Sequence, residues 1–135
     1  MDKSFKVTIY TPFGRYLSIE ATYLSTKTSV GVIGILPNHA PLISTLEISK
    51  LTIRISGKEY HYAISGGVIN IKKDHSVTLM VNAIERSDEI DVSRAEHAKK
   101  RAEERINSVD KSEVEINRAK ASLLRALNRL NVSDK

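Results

Sequence analysis

The sequence predicts an α+β fold, in which an N-terminal β-sandwich is followed by a C-terminal antiparallel two-helix hairpin. Over most of the first ninety residues apolar and polar side chains alternate, which is typical of half-buried strands. Between residues 90 and 130 apolar side chains recur instead at intervals of three and four, as on one face of a helix. A short polar segment, residues 107–112, interrupts the second pattern and indicates two antiparallel helices.

The predicted strands are short and are separated by turn residues. The first covers residues 5–10, and Pro12 and Gly14 then turn the chain. Pro37 and Pro41 exclude central-strand pairing in the segment that they flank, because proline has no amide donor. Further strands are expected at 16–19, 22–26, 31–36, 42–46, 51–55, 60–64, 68–71 and 77–81.

The segment Ser65-Gly66-Gly67 is interpreted as a turn or bulge that ends one strand before the next begins. A phosphate-binding loop is the alternative, but neither G-x-G-x-x-G nor G-x-x-x-x-G-K-S/T occurs. Strand residues give way to charged ones between residues 83 and 91. The predicted domains are therefore a sandwich over residues 1–86 and a helical hairpin over residues 87–135.

Composition limits the possible functions. The chain has 135 residues and a net charge of +5, and the absence of cysteine excludes disulfides, thiolate catalysis and cysteine-ligated zinc. It has no apolar run of the length that a membrane span requires and no signal-peptide pattern at its start, so a soluble, unprocessed protein is expected. The histidines show no metal-binding spacing, and His39 is interpreted as a structural hydrogen-bonding residue.

The predicted helices have recognisable start signals and a narrow apolar seam. Asp91 can cap the first helix, and either Asp110 with Glu113 or Ser112 with Glu115 can cap the second. The seam residues recur every three or four positions. They are Val92, Ala95, Ala98, Ala102, Ile106 and Val109 in the first helix and Ile116, Ala119, Leu123, Ala126 and Leu130 in the second.

A seam of alanines stabilises a hairpin only weakly, because each buried methyl group contributes roughly 0.8 kcal/mol. Pairing Ala102 with Ala119 and Ala98 with Leu123 brings four arginines to the open end of the hairpin. These are Arg94, Arg101, Arg125 and Arg129. Like charges at close range repel, so a polyanion bound there is expected to stabilise the folded hairpin.

The charge of the second helix also favours an anionic partner. Residues 91–135 hold eleven lysines or arginines against eight acids, and no acid lies between Glu115 and Asp134. Nucleic acid, an acidic protein surface and a phosphorylated small molecule all have suitable charge. Aromatic residues are not interleaved with the basic helix, as a single-strand-binding surface requires. A basic nucleic-acid-binding module nevertheless remains the alternative, and an enzyme is the weakest reading.

Three motifs occur in order along the chain: Gly34-Ile35-Leu36-Pro37-Asn38-His39-Ala40-Pro41-Leu42, Ser65-Gly66-Gly67 and Ile90-Asp91-Val92-Ser93-Arg94-Ala95. In this order the chain resembles the epsilon subunit of F-type ATP synthase over almost its whole length. The last motif resembles the I/L-D-x-x-R-A motif of the bacterial, nucleotide-binding members. The family often has an acid where this chain has Val32, so a charge-based contact of that loop with the c ring is not expected here.

The resemblance implies a non-catalytic regulatory and coupling subunit of the central stalk of a rotary, proton-translocating ATP synthase. It implies a sandwich that contacts the gamma subunit and the c-subunit ring, with no nucleic acid and only indirect membrane contact. It further implies a hairpin that folds or extends, the extended form suppressing ATP hydrolysis. ATP is then a regulatory ligand that favours the folded form and is not hydrolysed. No catalytic cofactor or metal is implied. The implied location is the cytoplasmic face of the bacterial cell membrane.

Carried over to this sequence, the resemblance predicts the residues of the ATP site. The adenine side is assigned Glu85, Ile90, Asp91 and Ala95. The phosphates are assigned Arg94, Arg101, Arg125 and Arg129, because guanidinium groups match phosphate oxygens. In the extended state Arg118 and Lys120 are expected to contact acidic segments of the catalytic alpha/beta head.

Overall fold

The computed structural model describes residues 3–108 and 112–133, and within them the chain forms eight strands, a short 3-10 turn and two α-helices. The strands are β1 Phe5–Thr11, β2 Gly14–Ala21, β3 Tyr23–Thr28, β4 Gly31–Ile35, β5 Leu42–Ile55, β6 Lys58–Ile71, β7 Val77–Val81 and β8 Ile84–Arg86. The turn is Ser87–Glu89, and the helices are α1 Val92–Ile106 and α2 Glu113–Val132. The α+β fold class predicted from periodicity is confirmed.

The strands follow the order β2-β1-β7-β6-β5-β3-β4, and β8 pairs with β6. Neighbours along this path are antiparallel except β1 and β7, which pair in parallel from Val7 opposite Val77 to Tyr10 opposite Met80. Alternation along a strand identifies its buried face but not its neighbour, so this parallel pair could not be predicted from the sequence. Because all the strands are linked in one path, the two layers of the sandwich share strands.

Two strands are much longer than predicted. β5 and β6 each have 14 residues and pair without a change of register from Leu42 opposite Ile71 to Ile55 opposite Lys58. The expected end of a strand at Ser65-Gly66-Gly67 is therefore wrong, as is the separation of residues 42–46 from 51–55. The glycines lie inside a continuous strand.

Gly66 and Gly67 lie where the paired strands β5 and β6 bend. Along β6 the buried residues are the even-numbered Tyr62 and Ile64 before the glycines and the odd-numbered Ile69 and Ile71 after them. The face of the strand that points into the core therefore changes at the glycines. Gly66 has φ +98° and Gly67 has φ +146°, values that side chains rarely tolerate. A Cβ at Gly67 would also collide with the carbonyl oxygen of Met80. Glycine thus lets β5 and β6 bend together from one layer to the other.

The core between the layers is made of large aliphatic side chains from nearly every strand. Its fully buried members include Ile9, Leu24, Ile53, Ile69 and Leu79. Partly buried aliphatic residues such as Leu17 and Ile33 pack around them. This close packing of β-branched and leucine side chains explains why the alternating pattern of the sequence identified the strands.

Both helices begin at the predicted capping residues. The Asp91 Oδ1 atom accepts a hydrogen bond of 3.0 Å from the backbone N–H of Arg94, and the Ser112 Oγ atom accepts one of 3.2 Å from the N–H of Glu115. Of the two caps proposed for the second helix, the structure has Ser112. Val109 and Asp110 lie outside the described residues.

The chain divides into two compact units, Met1–Arg86 and Ser87–Lys135. The first contains the sandwich and the second contains the helical hairpin. Within the described residues, neither helix combines the length and the apolar character that crossing a bilayer demands.

Candidate functional site

The start of α1 is fixed by the first residues of the I-D-x-x-R-A motif. Ile90 is fully buried, and Asp91 next to it adopts extended backbone angles and caps the helix. Ala95, one turn later, is also fully buried. The motif therefore has a local structural role in which Ile90 anchors the chain and Asp91 starts the helix. The exposed Asp91 carboxylate lies beside Arg94 in the first turn.

Four alanines are the fully buried residues of the predicted seam between the helices, and the other described seam residues are partly buried. Ala95, Ala102, Ala119 and Ala126 are each at most 2% exposed. Pairing Ala102 with Ala119 also sets Ala95 opposite Ala126. Ala95 lies seven residues before Ala102, Ala126 lies seven residues after Ala119, and the two helices run in opposite directions. The burial of all four fits the register expected from the sequence. A seam of methyl groups lets the helices approach closely while contributing little energy.

An arginine stands directly before each of these buried alanines. The four doublets are Arg94-Ala95, Arg101-Ala102, Arg118-Ala119 and Arg125-Ala126. One residue back along a helix is a rotation of about 100°. Two antiparallel helices are related by a two-fold axis perpendicular to the plane that contains both helix axes. This axis keeps each side of the plane on the same side, so the residue that precedes a seam alanine lies on the same side of the hairpin in both helices. We call this side the arginine flank and define it by these four arginines.

The arginine flank is densest at the open end of the hairpin. If Ala95 lies opposite Ala126, Arg94 lies about 3 Å along the hairpin axis from both Arg125 and Arg129, at 1.5 Å per residue. Arg101 is then about 8 Å along the axis from Arg125 on the same basis. Three of these four predicted phosphate ligands are exposed, and Arg129 is partly buried. The Arg125 Nη2 atom donates a hydrogen bond of 3.0 Å to the Ser122 hydroxyl, which orients its guanidinium along the helix.

Acidic residues lie on the other side of the seam. In α1 the residues that directly follow two buried alanines are Glu96 and Glu103, so each is rotated about 200° from the arginine that precedes the same alanine. In α2 no acid follows Glu115 within the described residues. Lys120 of α2 also follows a buried alanine, so this second side carries charges of both signs. The arginine flank brings guanidiniums together, and a multivalent anion fits it chemically.

The two candidates for an inhibitory contact lie on different sides of α2. Arg118 precedes Ala119 and belongs to the arginine flank, whereas Lys120 follows Ala119 and lies about 200° away around the axis. Both are exposed. One flat acidic surface therefore cannot contact both head groups through the same face of the helix.

Glu85, the remaining predicted site residue, lies in the sandwich unit. It is partly buried in β8 and pairs with Ala63 of β6. The other seven residues predicted for the nucleotide lie in the hairpin unit.

The remaining polar groups of the sandwich hold loops and strand pairs together. The Arg54 Nη2 atom donates a 2.7 Å hydrogen bond to Glu59 across β5 and β6, and the guanidinium lowers the pKa of that carboxyl. The Ser76 hydroxyl and amide donate to Asp74 and lower the pKa of its carboxyl. Nδ1 of His39 lies 2.7 Å from the Ala40 carbonyl oxygen, as expected of a structural histidine. Among the described residues no three acids or histidines are grouped to hold a metal ion.

Comparison with known proteins identifies the family. The sequence matches the β-sandwich domain of the ATP synthase delta/epsilon chain over residues 4–87 and the long α-helix domain of the same chain over residues 88–134. The chain belongs to the ATP synthase delta/epsilon family. The prediction of a non-catalytic epsilon-type subunit, made from three motifs, is confirmed.

Bacterial members of the family are similar over almost their whole length. The ATP synthase epsilon chain of Ruminococcus albus is 40% identical over 131 residues, covering 97% of each chain. That of Desulforamulus reducens is 39% identical over 134 residues, covering 99% of this chain and all of the relative. Their shared length indicates that both the sandwich and the hairpin are common to these epsilon chains.

Two solved structures share the fold at low sequence identity. One is a chain of the Euglena gracilis mitochondrial ATP synthase, in a structure of OSCP, F1 and c-ring, with a TM-score of 0.83 and 18% identity over 95% of this chain and 80% of that one. The other belongs to the central stalk and c-ring of the Tetrahymena thermophila mitochondrial ATP synthase, with a TM-score of 0.67 and 17% identity over 98% of this chain and 99% of that one. The epsilon-family fold is thus retained where little sequence identity remains.

Reasoning from the sequence found most of the arginine flank but not its regularity. Arg118 was assigned to the inhibitory contact alone, although it stands in the same relation to a buried alanine as Arg94, Arg101 and Arg125 do. The fourfold recurrence of the Arg-Ala doublet was the available signal. It becomes meaningful only when all four alanines are known to be buried.

Proposed function

We propose that this chain is the regulatory and coupling subunit in the central stalk of a bacterial, proton-translocating ATP synthase, and that ATP is its regulatory ligand. The observation that carries the ATP-binding role is the arginine flank, in which each of four buried seam alanines is preceded by an arginine. A triphosphate has enough charge and enough oxygen acceptors to engage several guanidiniums at once.

ATP on the arginine flank would favour the closed hairpin for a simple physical reason. The guanidiniums of both helices come together only when the helices are paired, so closing the hairpin concentrates positive charge. A ligand that binds the closed form alone stabilises it by RT ln(1 + [L]/Kd). At low ATP the alanine seam has to overcome the repulsion without help, and opening is easiest.

The opened hairpin is the form that we propose to inhibit ATP hydrolysis. Its exposed cations would face acidic segments of the alpha/beta catalytic head. Because Arg118 and Lys120 lie on different sides of α2, they would contact different segments, and the helix would have to be surrounded on at least two sides. Insertion of α2 between neighbouring subunits satisfies this geometry, whereas docking on one flat surface does not.

The sandwich is proposed to hold the chain on the rotor through the gamma subunit and the c-subunit ring. One structural relative comes from a structure of OSCP, F1 and c-ring, and the other from a structure of the central stalk and c-ring, which supports these partners. The chain would thereby be held at the cytoplasmic face of the bacterial membrane without entering the bilayer.

The test is calorimetric titration of ATP into the full chain and into single variants. Arg94→Ala and Arg125→Ala should each weaken binding about tenfold or more, as expected for a lost charge-assisted hydrogen bond of about 1.5–3 kcal/mol. Lys120→Ala is the matched control, because it removes one positive charge from the same hairpin on the other side of the seam. Equal affinity in all three variants, or no binding by the unaltered chain, would refute the ATP site.

A further inference from the structure

The helix α2 carries more apolar surface than the hairpin seam uses. Leu124 and Leu127 are 52% and 41% exposed in the folded hairpin, although leucine is among the most frequently buried residue types. At about 100° per residue, Leu127 lies about 80° and Leu124 about 140° around the helix axis from the buried Ala119. Both therefore extend the apolar seam on one side of the helix and remain exposed.

Opening of the hairpin would join these two leucines to the seam residues of α2. The seam residues extend from about 20° on one side of Ala119 to about 60° on the other, so the combined apolar arc covers about 160° of the helix. Its members are Ile116, Ala119, Leu123, Leu124, Ala126, Leu127 and Leu130. A broad leucine-rich arc on a helix whose remaining surface is polar and basic is typical of helices that lie at a membrane surface.

The cations of α2 lie beside and within this arc. Three of them lie about 80–120° from Ala119 in the opposite sense, next to the alanine edge of the arc, and belong to Arg118, Arg125 and Arg129. Lys120 lies within the arc, at about 100°. Its apolar stem can contact an apolar surface while its ammonium group reaches the polar boundary. The four cations can therefore meet phosphate groups while the leucines are buried.

No acid accompanies these cations. The acids of α2 are Glu113 and Glu115, both in its first turn, so residues 116–132 hold four cations and no negative charge. The helix α1 differs in both respects, because its 15 residues include three glutamates and no leucine. The combination of a leucine-rich arc with uncompensated positive charge is thus particular to α2.

We propose that the opened α2 binds the surface of an anionic lipid bilayer, with its leucines at the boundary between head groups and acyl chains and its cations on the lipid phosphates. The proposal rests on the opening of the hairpin in the proposed function, and it gives the opened helix a second binding place besides the catalytic head. Basic amphipathic helices bind such surfaces through buried apolar area and through attraction to anionic lipids.

The apolar arc and the cations together favour a bilayer over other anionic partners. Nucleic acid would use the cations alone, and α2 has no aromatic residue on which a base could stack. An acidic protein surface would have to provide an apolar groove along the same helix. A bilayer presents a charged layer directly beside an apolar one, which matches the arrangement of side chains around α2.

Sedimentation of the full chain with lipid vesicles tests the proposal. Without ATP, vesicles of equal parts phosphatidylglycerol and phosphatidylcholine should bind the chain at least about tenfold more tightly than vesicles of phosphatidylcholine alone, because several cations face the anionic lipid. Saturating ATP should weaken this binding, because it holds the hairpin closed. Equal binding to the two kinds of vesicle, or binding to neither, would refute the proposal. Vesicle binding that ATP leaves unchanged, in a chain that binds ATP, would also refute it.

Substitutions of exposed apolar residues test whether the leucines enter the bilayer. Leu124→Ala and Leu127→Ala should each weaken binding to the anionic vesicles about threefold or more, because apolar carbon atoms that the lipid covers are removed. Val114→Ala is the matched control and should leave binding unchanged. Val114 is 62% exposed and lies about 140° from Ala119 on the side of the arginines, outside the arc. Circular dichroism checks that all three variants keep their helices. Equal effects of the leucine variants and the control would overturn the proposal.

Two parallel measurements separate the proposal from its alternatives. If calorimetry shows that ATP binds but anionic vesicles do not, the lipid surface is refuted while the ATP site stands. If the vesicles bind and the leucine variants weaken that binding while ATP does not bind, the lipid surface stands and the ATP site is refuted. Duplex DNA should bind more weakly than the anionic vesicles. DNA binding of equal strength that the leucine variants do not change would assign the helix to polyanions in general and overturn the proposal.

Discussion

The sandwich and the hairpin are held together by side chains of very different size. The sandwich core consists of fully buried leucine, isoleucine and valine residues, each of which stabilises by roughly 1.5–3 kcal/mol. The fully buried residues of the hairpin seam are alanines, whose methyl groups are each worth about a third to a half of that. The difference predicts a sandwich that unfolds less readily than the hairpin opens, which is the combination that the proposed ligand-controlled arm requires.

The largest expected effect is a cavity in the sandwich. Leu79 is fully buried in β7, and Leu79→Ala should lower the free energy of unfolding by about 2–5 kcal/mol. Leu36→Ala, at a position of the sandwich unit that is 61% exposed, is the matched control and should change it by less than about 0.5 kcal/mol. Urea unfolding followed through the tyrosines reports the sandwich alone, because all five tyrosines lie in it. A similar loss of unfolding free energy in both variants would contradict the stabilising role of the buried leucine core.

The second effect is overpacking of the seam. Ala102→Leu places a large side chain at a fully buried position of the seam, and should destabilise the hairpin by about 1–3 kcal/mol. Helical circular dichroism at low denaturant should fall while the tyrosine signal is unchanged. Lys100→Leu, at an exposed position of α1, controls for added hydrophobicity. A seam that accepts leucine without loss of helix would mean that the helices are not closely packed.

The third effect is loss of a helix cap. Asp91→Ala removes the side-chain acceptor for the Arg94 N–H and should cost α1 about 1 kcal/mol. Asp91→Asn keeps an acceptor and should retain most of the stability. Thermal melting of the helical signal measures both. If Asp91→Asn lowers the melting temperature of the helical signal as much as Asp91→Ala does, the start of α1 is stabilised by the carboxylate charge and not by the cap.

The smallest effect concerns pH and belongs to the sandwich. The pKa of Asp74 is held below its ordinary value of 3.8 by hydrogen bonds from Ser76, so the ionised carboxylate favours the folded state at higher pH. This contribution is complete above the ordinary pKa and is lost as pH falls through the lower pKa of the folded state. Asp74→Asn should therefore be less stable than the unaltered chain near neutral pH, with the gap closing in acid. Tyrosine-monitored unfolding at several pH values measures the difference in free energy of unfolding between the two proteins. A difference that grows as the pH falls would contradict the prediction.

The elements that could be predicted are those fixed by local chemistry. Alternation identified the strands because one face of each is buried, and spacings of three and four identified the helices. Asp91 and Ser112 were recognised as caps because a short side-chain acceptor is needed at those positions. In the site, the alanine register was enough to predict that arginines of both helices share a side.

The failures came from long-range structure. Gly66 and Gly67 were interpreted as the end of a strand, since glycine more often ends a strand than bends one. Only the partner strands show that β6 continues with an unchanged register. The parallel pairing of β1 with β7 was missed for the same reason, because alternation carries no information about neighbours. Arg118 was not recognised as a member of the arginine flank, because the flank is defined by alanines whose burial only the structure shows.

The bent pair formed by β5 and β6 has a mechanical consequence. Because both strands pass from one layer into the other in an unchanged register, a load applied to either layer is carried through covalent backbone to its counterpart. Sliding of the layers would have to break the pairs of β5 and β6 on both sides of the glycine corner, and a side chain at Gly67 would collide with Met80. A body built this way resists shear between its two layers.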